Sequence, residues 1–160
     1  MKRFFFFVIP GLLCLGCEKV GKSGVDVSDG SGSREQNSTL FVLNEGGYGQ
    51  GNSSLSVYDV GSGVLTDNAF PGQDVSLDGI QSMTVVGDTG WLAVTTTGCV
   101  IRLDLATMQE TGRISGLDGG PRHVHIVSDT KGYVSQLNSG DIIVFNPSTC
   151  EKTGEINTVY

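Results

Sequence analysis

Six residues carry side chains that could bind a polar ligand together, and most of them fall in segments rich in glycine and other turn-forming residues. They offer amide, carboxylate, phenol and guanidinium groups, which can donate and accept hydrogen bonds. These candidate ligand-binding residues are Asn44, Glu45, Tyr48, Asn52, Arg122 and Asn138. The alternative is structural: Asn44 and Glu45 would cap their own loop, and Arg122 would pair with a nearby acid.

Other reactive residue types do not form a recognisable catalytic or metal-binding motif. His123 and His125 are two residues apart on a predicted strand and share a face, but a zinc site needs three or four ligands. Ser, His and Asp occur without a nucleophile elbow, and the glycines of EGGYGQGN open no helix that could cradle a phosphate. We therefore predict no catalytic residues, no metal and no cofactor.

The N-terminus has the pattern of an export signal. A basic MKR precedes the apolar run Phe4–Gly16, which is too short to span a bilayer and typical of a signal peptide. Gly16-Cys17 after leucines resembles a bacterial lipobox, although Cys14 stands where leucine is usual. The pattern predicts a lipoprotein signal peptide over residues 1–16 and an acylated Cys17 that anchors the protein to a lipid bilayer. An ordinary secretory signal with an incidental cysteine is the alternative.

Residues 17–38 are predicted to form a flexible tether. After Cys17 the segment reads EKVGKSGVDVSDGSGSREQNS, which is polar, rich in glycine and serine, and without periodicity. We expect it to separate the anchored cysteine from the folded domain.

Composition and charge favour an all-β domain and argue against nucleic acid as a partner. The chain has 24 glycines and only 17% charged residues, as expected where many turns join short strands. Its formal net charge is −7, and no basic patch interrupts the acidic residues. A nucleic-acid-binding surface would require such a patch.

The candidate residues must be positioned by a repeated unit. The segment that begins at Trp91 aligns without a gap with the segment that begins at Tyr133, at an offset of 42 residues. The two segments read WLAVTTTGCVIRLDLATMQETGRI and YVSQLNSGDIIVFNPSTCEKTGEI. A period in the low forties built of short alternating strands is typical of β-propeller blades. We predict an all-β fold, a β-propeller of four-stranded antiparallel blades, with blades over residues 39–70, 80–116 and 121–158.

The first blade is expected to begin with its second strand, because only the polar tether precedes Leu40. About three blades cannot close a ring that needs at least four. We therefore expect residues 39–160 to be the N-terminal part of a larger propeller, or a truncated gene product.

Strand parity predicts which loops share an end of the propeller. Loops between the second and third strands of a blade, and loops between blades, lie at one end, which we call the loop face. It gathers segments 44–54, 95–98, 116–122 and 138–140 and thus all six candidates; the opposite end, the turn face, carries tight turns.

Cys99 starts a strand at the loop face and Cys150 starts one at the turn face. They are therefore predicted to be unpaired thiols, since a five-residue strand is about 17 Å long and bridged Cα atoms lie within about 7 Å.

Two motifs suggest a family. YVSQLNSGDIIVFNPST resembles the YVTN-type repeats of bacterial surface propellers, and FVLNEGGYGQGNSSLSVYD resembles the NEG-motif, YncE-like propeller lipoproteins of Bacteroidota-type bacteria. The Pro-Arg blade start in GLDGGPRHVHIVSDTKGYVS is similar to the same group. The resemblance covers Leu40–Tyr160. It implies a ring of seven blades at the cell surface, and for some members capture of cobalamin for an outer-membrane transporter.

These observations predict a non-enzymatic, lipid-anchored binding protein at the outer membrane or cell surface. Its loop face would bind a small nutrient, with cobalamin as the ligand that the resemblance implies, or a protein partner. A propeller enzyme of the quinoprotein or lactonase type, or an architectural component of a surface layer, are the alternatives.

Overall fold

The computed structural model describes residues 4–6, 38–70 and 77–158 of the chain. Cys17 and the predicted tether up to residue 37 lie outside these described residues. Within them there are twelve strands. The strands are β1 (Phe4–Phe6), β2 (Thr39–Asn44), β3 (Ser54–Asp59), β4 (Val64–Thr66), β5 (Ile80–Val86), β6 (Thr89–Val94), β7 (Cys99–Asp104), β8 (Gln109–Ile114), β9 (Pro121–Ser128), β10 (Lys131–Gln136), β11 (Asp141–Asn146) and β12 (Glu151–Asn157).

No helix capable of crossing a membrane occurs among the residues that the structure describes.

The strands form three antiparallel sheets of four strands, each built from consecutive strands in chain order. The sheets contain β1–β4, β5–β8 and β9–β12, and each is one blade. The predicted strands of the second and third blades are confirmed. Trp91 on β6 lies opposite Arg102, and Tyr133 on β10 lies opposite Val144, so the repeat in the sequence is a repeat in register.

The first blade differs from the prediction at its inner edge. We expected no inner strand there, but β1 pairs with β2, with Phe4 opposite Asn44 and Phe6 opposite Val42. The physical reason is that the edge of β2 carries unpaired backbone groups and phenylalanine favours extended structure. The assignment of residues 1–16 to a signal peptide stays a prediction.

A side-chain cap fixes the turn between the third and fourth strands of the second and third blades. Oδ1 of Asp104 accepts hydrogen bonds from the backbone N–H groups of Thr107 at 2.8 Å and Ala106 at 3.0 Å. These bonds lower the pKa of Asp104 below its usual value, chiefly through Thr107. Oδ1 of Asn146 accepts the same kind of bond from Ser148 at 2.9 Å. An Asp or Asn at this position therefore specifies the hairpin.

Two hydrophobic clusters fill the spaces between neighbouring blades. The first joins Leu43 and Leu55 of the first blade to Leu92 and Leu103 of the second. The second joins β6, β7, β9, β10 and β11 around Trp91 and Phe145, whose ring centroids are 5.5 Å apart. Full burial of such a side chain contributes about 1.5–3 kcal/mol. Packing between sheets therefore holds the blades together.

Hydroxyl groups of the second blade add a polar contact to the third. Three of them donate hydrogen bonds to backbone carbonyl oxygens of β9, the inner strand of the third blade. They are Ser82 to Arg122 at 2.5 Å, Thr84 to Val124 at 2.7 Å and Thr95 to Pro121 at 2.7 Å. We call these three bonds the hydroxyl ladder. It aligns β5 beside β9 through the backbone of β9.

Arg102 joins the second and third blades at the turn face. Its Nη1 donates to the backbone oxygens of Pro147 at 2.8 Å and Ser148 at 3.1 Å. Its Nη2 donates to the backbone oxygen of Thr111 at 2.7 Å, and its guanidinium lies over the ring of Trp91 at 6.0 Å. One side chain thus connects the outer part of its own blade to a turn of the next.

Candidate binding surface

The loops predicted to share the loop face are in contact. The backbone N–H of Leu117, between the second and third blades, donates to Gly98 at 2.9 Å. Leu137 donates to Gly119 at 3.0 Å, and Ser53 donates to Leu77 at 3.1 Å. Backbone hydrogen bonds therefore join the loops of all three blades at one end, as strand parity predicted.

The longest of these loops, residues 45–53, is held by its own side chains. Oδ1 of Asn52 accepts a hydrogen bond from the backbone of Gly47 at 2.8 Å. Gly46 has a φ of 79°, and a Cβ there would lie 2.5 Å from the same Asn52 oxygen. Asn52 therefore holds the loop closed, which is the structural role that the alternative gave to Asn44 and Glu45. Glycine is required at position 46 because a side chain there would collide with Asn52.

Glu45 and Arg122 meet through a residue that the sequence analysis did not single out. Nη1 of Arg122 donates to Oε1 of Gln81, and Nε2 of Gln81 donates to Oε1 of Glu45. The three residues come from the first, second and third blades and are partly buried. We call them the Glu45–Gln81–Arg122 chain. It links an acid and a base through a neutral amide, so Arg122 has an acidic partner only indirectly.

The other candidates occupy different parts of the loop face. Nδ2 of Asn44 donates to the hydroxyl of Ser54 at 3.0 Å, so it is used within the first blade. Tyr48 is 88% exposed at the tip of its loop. Asn138 is exposed, and its backbone N–H donates to Gly119 at 2.8 Å. The structure thus brings Glu45 and Arg122 together but leaves Tyr48 and Asn138 as separate, solvent-facing groups.

Asp78 lies beneath the loop of the first blade. Its Oδ2 accepts a hydrogen bond from the backbone of Gly49 at 2.7 Å, while its buried Oδ1 has no partner among the described residues. The backbone N–H of Asp78 donates to the hydroxyl of Thr97 at 3.0 Å, which ties Asp78 to the second blade. A carboxylate therefore lies just under the exposed end of this loop.

The histidines and cysteines lie apart from one another. His123 and His125 are exposed on β9, and no group of three metal-ligating side chains occurs among the described residues. Cys99 and Cys150 are buried and unpaired, which confirms the prediction of two free thiols. Burial raises the pKa of Cys99 to about 11 and also raises the pKa of Cys150. Neither thiol is a nucleophile at neutral pH.

Gln81 and Arg122 correspond in the structure, although the 42-residue offset of the repeat places Gln81 over His123. Ile80 and Pro121 lie opposite Val94 and Gln136, which are 42 residues apart, so Gln81 and Arg122 occupy the same place in successive inner strands. A register shift between Lys131 and Gly132 in the third blade makes the spacing of Gln81 and Arg122 41 residues, so the offset in the sequence does not identify Gln81. Arg122 ends segment 116–122, which is predicted to be a loop, whereas the structure places it in β9.

Residues 38–160 match the family described as "Domain of unknown function (DUF5074)". The match covers most of the sequence, and the chain belongs to this family. The search of curated proteins finds no match.

Solved structures with a similar backbone include WD40 propellers. The RRP9 WD40 repeats match with a TM-score of 0.58, 11% identity and coverage of 74% of this chain and 35% of that chain. The WD40 β-propeller domain of Doa1 matches with a TM-score of 0.53, 13% identity and coverage of 76% and 37%. Hydrazine synthase of Kuenenia stuttgartiensis matches with a TM-score of 0.58, 22% identity and coverage of 75% and 32%.

The chain therefore folds as blades of a β-propeller and spans about a third of the length of the solved chains that it matches. At these identities the similarity shows the fold alone.

Proposed function

We propose that the protein is a lipid-anchored cell-envelope binding protein, at the outer membrane or cell surface, whose loop face binds a polar ligand without catalysing a reaction. The observation that carries this proposal is the Glu45–Gln81–Arg122 chain. It places a carboxylate, an amide and a guanidinium from three blades in fixed contact at the end where the loops converge.

The chain of contacts leaves hydrogen-bonding capacity for a ligand. Arginine has five N–H donors, and described residues accept a side-chain hydrogen bond only from Nη1 of Arg122. Because Gln81 fixes the guanidinium beforehand, a ligand would not have to order it, and the entropic cost of binding would fall. Tyr48 is exposed on the same loop as Glu45, and it offers apolar area and a hydroxyl.

Cobalamin is the specific ligand that we propose, since the sequence resembles propeller lipoproteins that capture it for an outer-membrane transporter. A flat ligand fringed with amides suits a ring of polar groups that each contribute one or two hydrogen bonds. Each neutral contact would contribute about 1 kcal/mol, and contacts with Arg122 about 1.5–3 kcal/mol.

Titration calorimetry of the full chain with cyanocobalamin tests the binding site at the loop face and the choice of cobalamin as the ligand. Gln81→Leu and Arg122→Gln should each weaken binding by about tenfold, the equivalent of about 1.4 kcal/mol. Glu151→Gln, an exposed substitution at the turn face, is the matched control and should leave affinity unchanged. Heat that is insensitive to Gln81 and Arg122 would contradict the loop-face site, and the absence of heat at micromolar concentrations would exclude cobalamin.

A further inference from the structure

The structure contains two equivalent crevices at the turn face, one on each side of the second blade. The crevice between the second and third blades has a volume of about 200 Å³. The crevice between the first and second blades has a volume of about 630 Å³. Matching residues line both: Thr39 and Thr89, Phe41 and Trp91, and Leu105 and Pro147.

The Arg102 side chain lines the smaller crevice. Arg102 lies directly opposite Trp91 across the β6–β7 pair. Its guanidinium reaches the backbone oxygens of Pro147 and Ser148 in the next blade and lies over the Trp91 ring. This side of the second blade therefore binds a guanidinium, which the chain provides from Arg102.

The larger crevice has valine at the matching place. Val57 lies opposite Phe41 across the β2–β3 pair, as Arg102 lies opposite Trp91. Valine is too short to span the gap and has no hydrogen-bond donor in its side chain. Among the described residues, the larger crevice therefore lacks the guanidinium that lines the smaller one.

The turn beside the larger crevice, of which Leu105 lines the crevice, has backbone carbonyl groups at the places of those that receive Arg102. Leu105 and Ala106 occupy the turn positions of Pro147 and Ser148, because Met108 and Cys150 share a φ of 56° and donate equivalent backbone bonds of 2.8 Å. No hydrogen bond from a described residue reaches the backbone oxygens of Leu105 or Ala106. These oxygens are available as acceptors.

Electrostatics favour a cation at this place. Asp88 is among the residues that line the larger crevice, as Asp129 is among those that line the smaller one. Phe41 adds an aromatic side chain to the lining of the crevice, and the protein as a whole has a net charge of −7. A planar guanidinium suits two neighbouring carbonyl oxygens and an aromatic ring better than a compact ammonium does.

We propose that the crevice between the first and second blades binds an arginine side chain of a partner protein. The partner residue would occupy the place that Arg102 takes one blade further on. It would donate hydrogen bonds to the Leu105 and Ala106 oxygens and lie over Phe41, with Asp88 beside it. This site is at the turn face, opposite the loop face of the proposed ligand site, so both can be occupied at once.

The test is an NMR titration of the full chain with N-acetyl-arginine methylamide, with the matching lysine and citrulline compounds as comparisons. Citrulline keeps the shape of arginine but has no charge. Saturable shifts of the backbone amides of Val57 and of residues 105–108 are expected for arginine, with affinity at least about fivefold weaker for the other two. Equal affinity for citrulline, or shifts elsewhere only, would overturn the proposal.

Two variants sharpen the test. Val57→Arg supplies the missing guanidinium from within the chain, so it should abolish the shifts and raise the unfolding temperature. Asp88→Asn changes an exposed turn residue and should weaken binding by at least about threefold, so it tests the site even if Val57→Arg does not fold. Val64→Arg, on exposed β4 of the same blade, is the control and should bind as the natural chain does. Shifts that persist unchanged in both Val57→Arg and Asp88→Asn would refute the site.

Discussion

Replacing Gly112 with alanine tests how closely the second and third blades pack. A Cβ on Gly112 would lie 2.5 Å from Sγ of Cys150 in the next blade and 3.2 Å from Nη2 of Arg102. The matched control is Gly154→Ala, because Gly154 lies at the same place in the third blade and a Cβ there meets nothing within 4 Å. The two substitutions make the same chemical change in two different environments.

The expected cost follows from the contact distance. Non-bonded heavy atoms normally approach to about 3.5–4.0 Å, so the Cys150 sulfur or β8 must move by about 1 Å. Overpacking of a buried site costs about 1–3 kcal/mol, and we expect about 2 kcal/mol for Gly112→Ala. At about 2–4 °C per kcal/mol for a chain of this length, the unfolding temperature should fall by about 4–8 °C. Gly154→Ala should be neutral or stabilising by up to about 1 kcal/mol, since alanine restricts the unfolded chain.

The assay is thermal and urea unfolding of the full chain followed by circular dichroism. The double variant Gly112→Ala with Cys150→Gly removes the sulfur and should recover most of the lost stability, because the φ of 56° at Cys150 suits glycine. Equal unfolding temperatures for Gly112→Ala and Gly154→Ala would refute the packing described for these blades.

Three further predictions concern cysteines. In the folded protein, Cys99 and Cys150 should not react with a thiol reagent at pH 8, and in denaturant both should react; a fast-reacting thiol in the native state would contradict their burial. Because the folded pKa of Cys99 is about 11 against an ordinary 9.0, its contribution to stability is complete below pH 9 and is lost as the pH rises toward 11, which unfolding measured across that range checks. Cys17→Ser should abolish acylation and leave an uncleaved or soluble product; a processed variant that still partitions into membranes would show that the lipobox interpretation is wrong.

The repeat made the blades predictable from sequence because it is carried by local features. Asp104 and Asn146 fix equivalent turns through bonds to residues two or three positions away, so the turn is encoded within a few residues. Once the turns are placed, alternation of strand direction assigns every loop to an end. The same parity, together with the length of a five-residue strand, separated Cys99 from Cys150.

The contacts between blades were less predictable. Gln81 contacts residues 36 and 41 positions away, and nothing in its neighbourhood distinguishes it from an ordinary strand residue. The pairing of β1 with β2 joins residues about forty positions apart, and Phe4–Phe6 has the sequence pattern of a leader. Such contacts depend on how sheets are placed side by side, which local propensity does not determine.

The hydroxyl ladder separates two tasks that fall on the same residue of β9. The backbone oxygen of Arg122 receives the hydrogen bond from Ser82, whereas its side chain points its guanidinium to Gln81. The contact between blades therefore recognises the main chain, which every residue type provides. Position 122 can change its side chain while the neighbouring blade remains attached in the same way. A propeller assembled in this manner can acquire a new specificity at its loop face through single substitutions, while the hydrogen bonds between its blades stay the same.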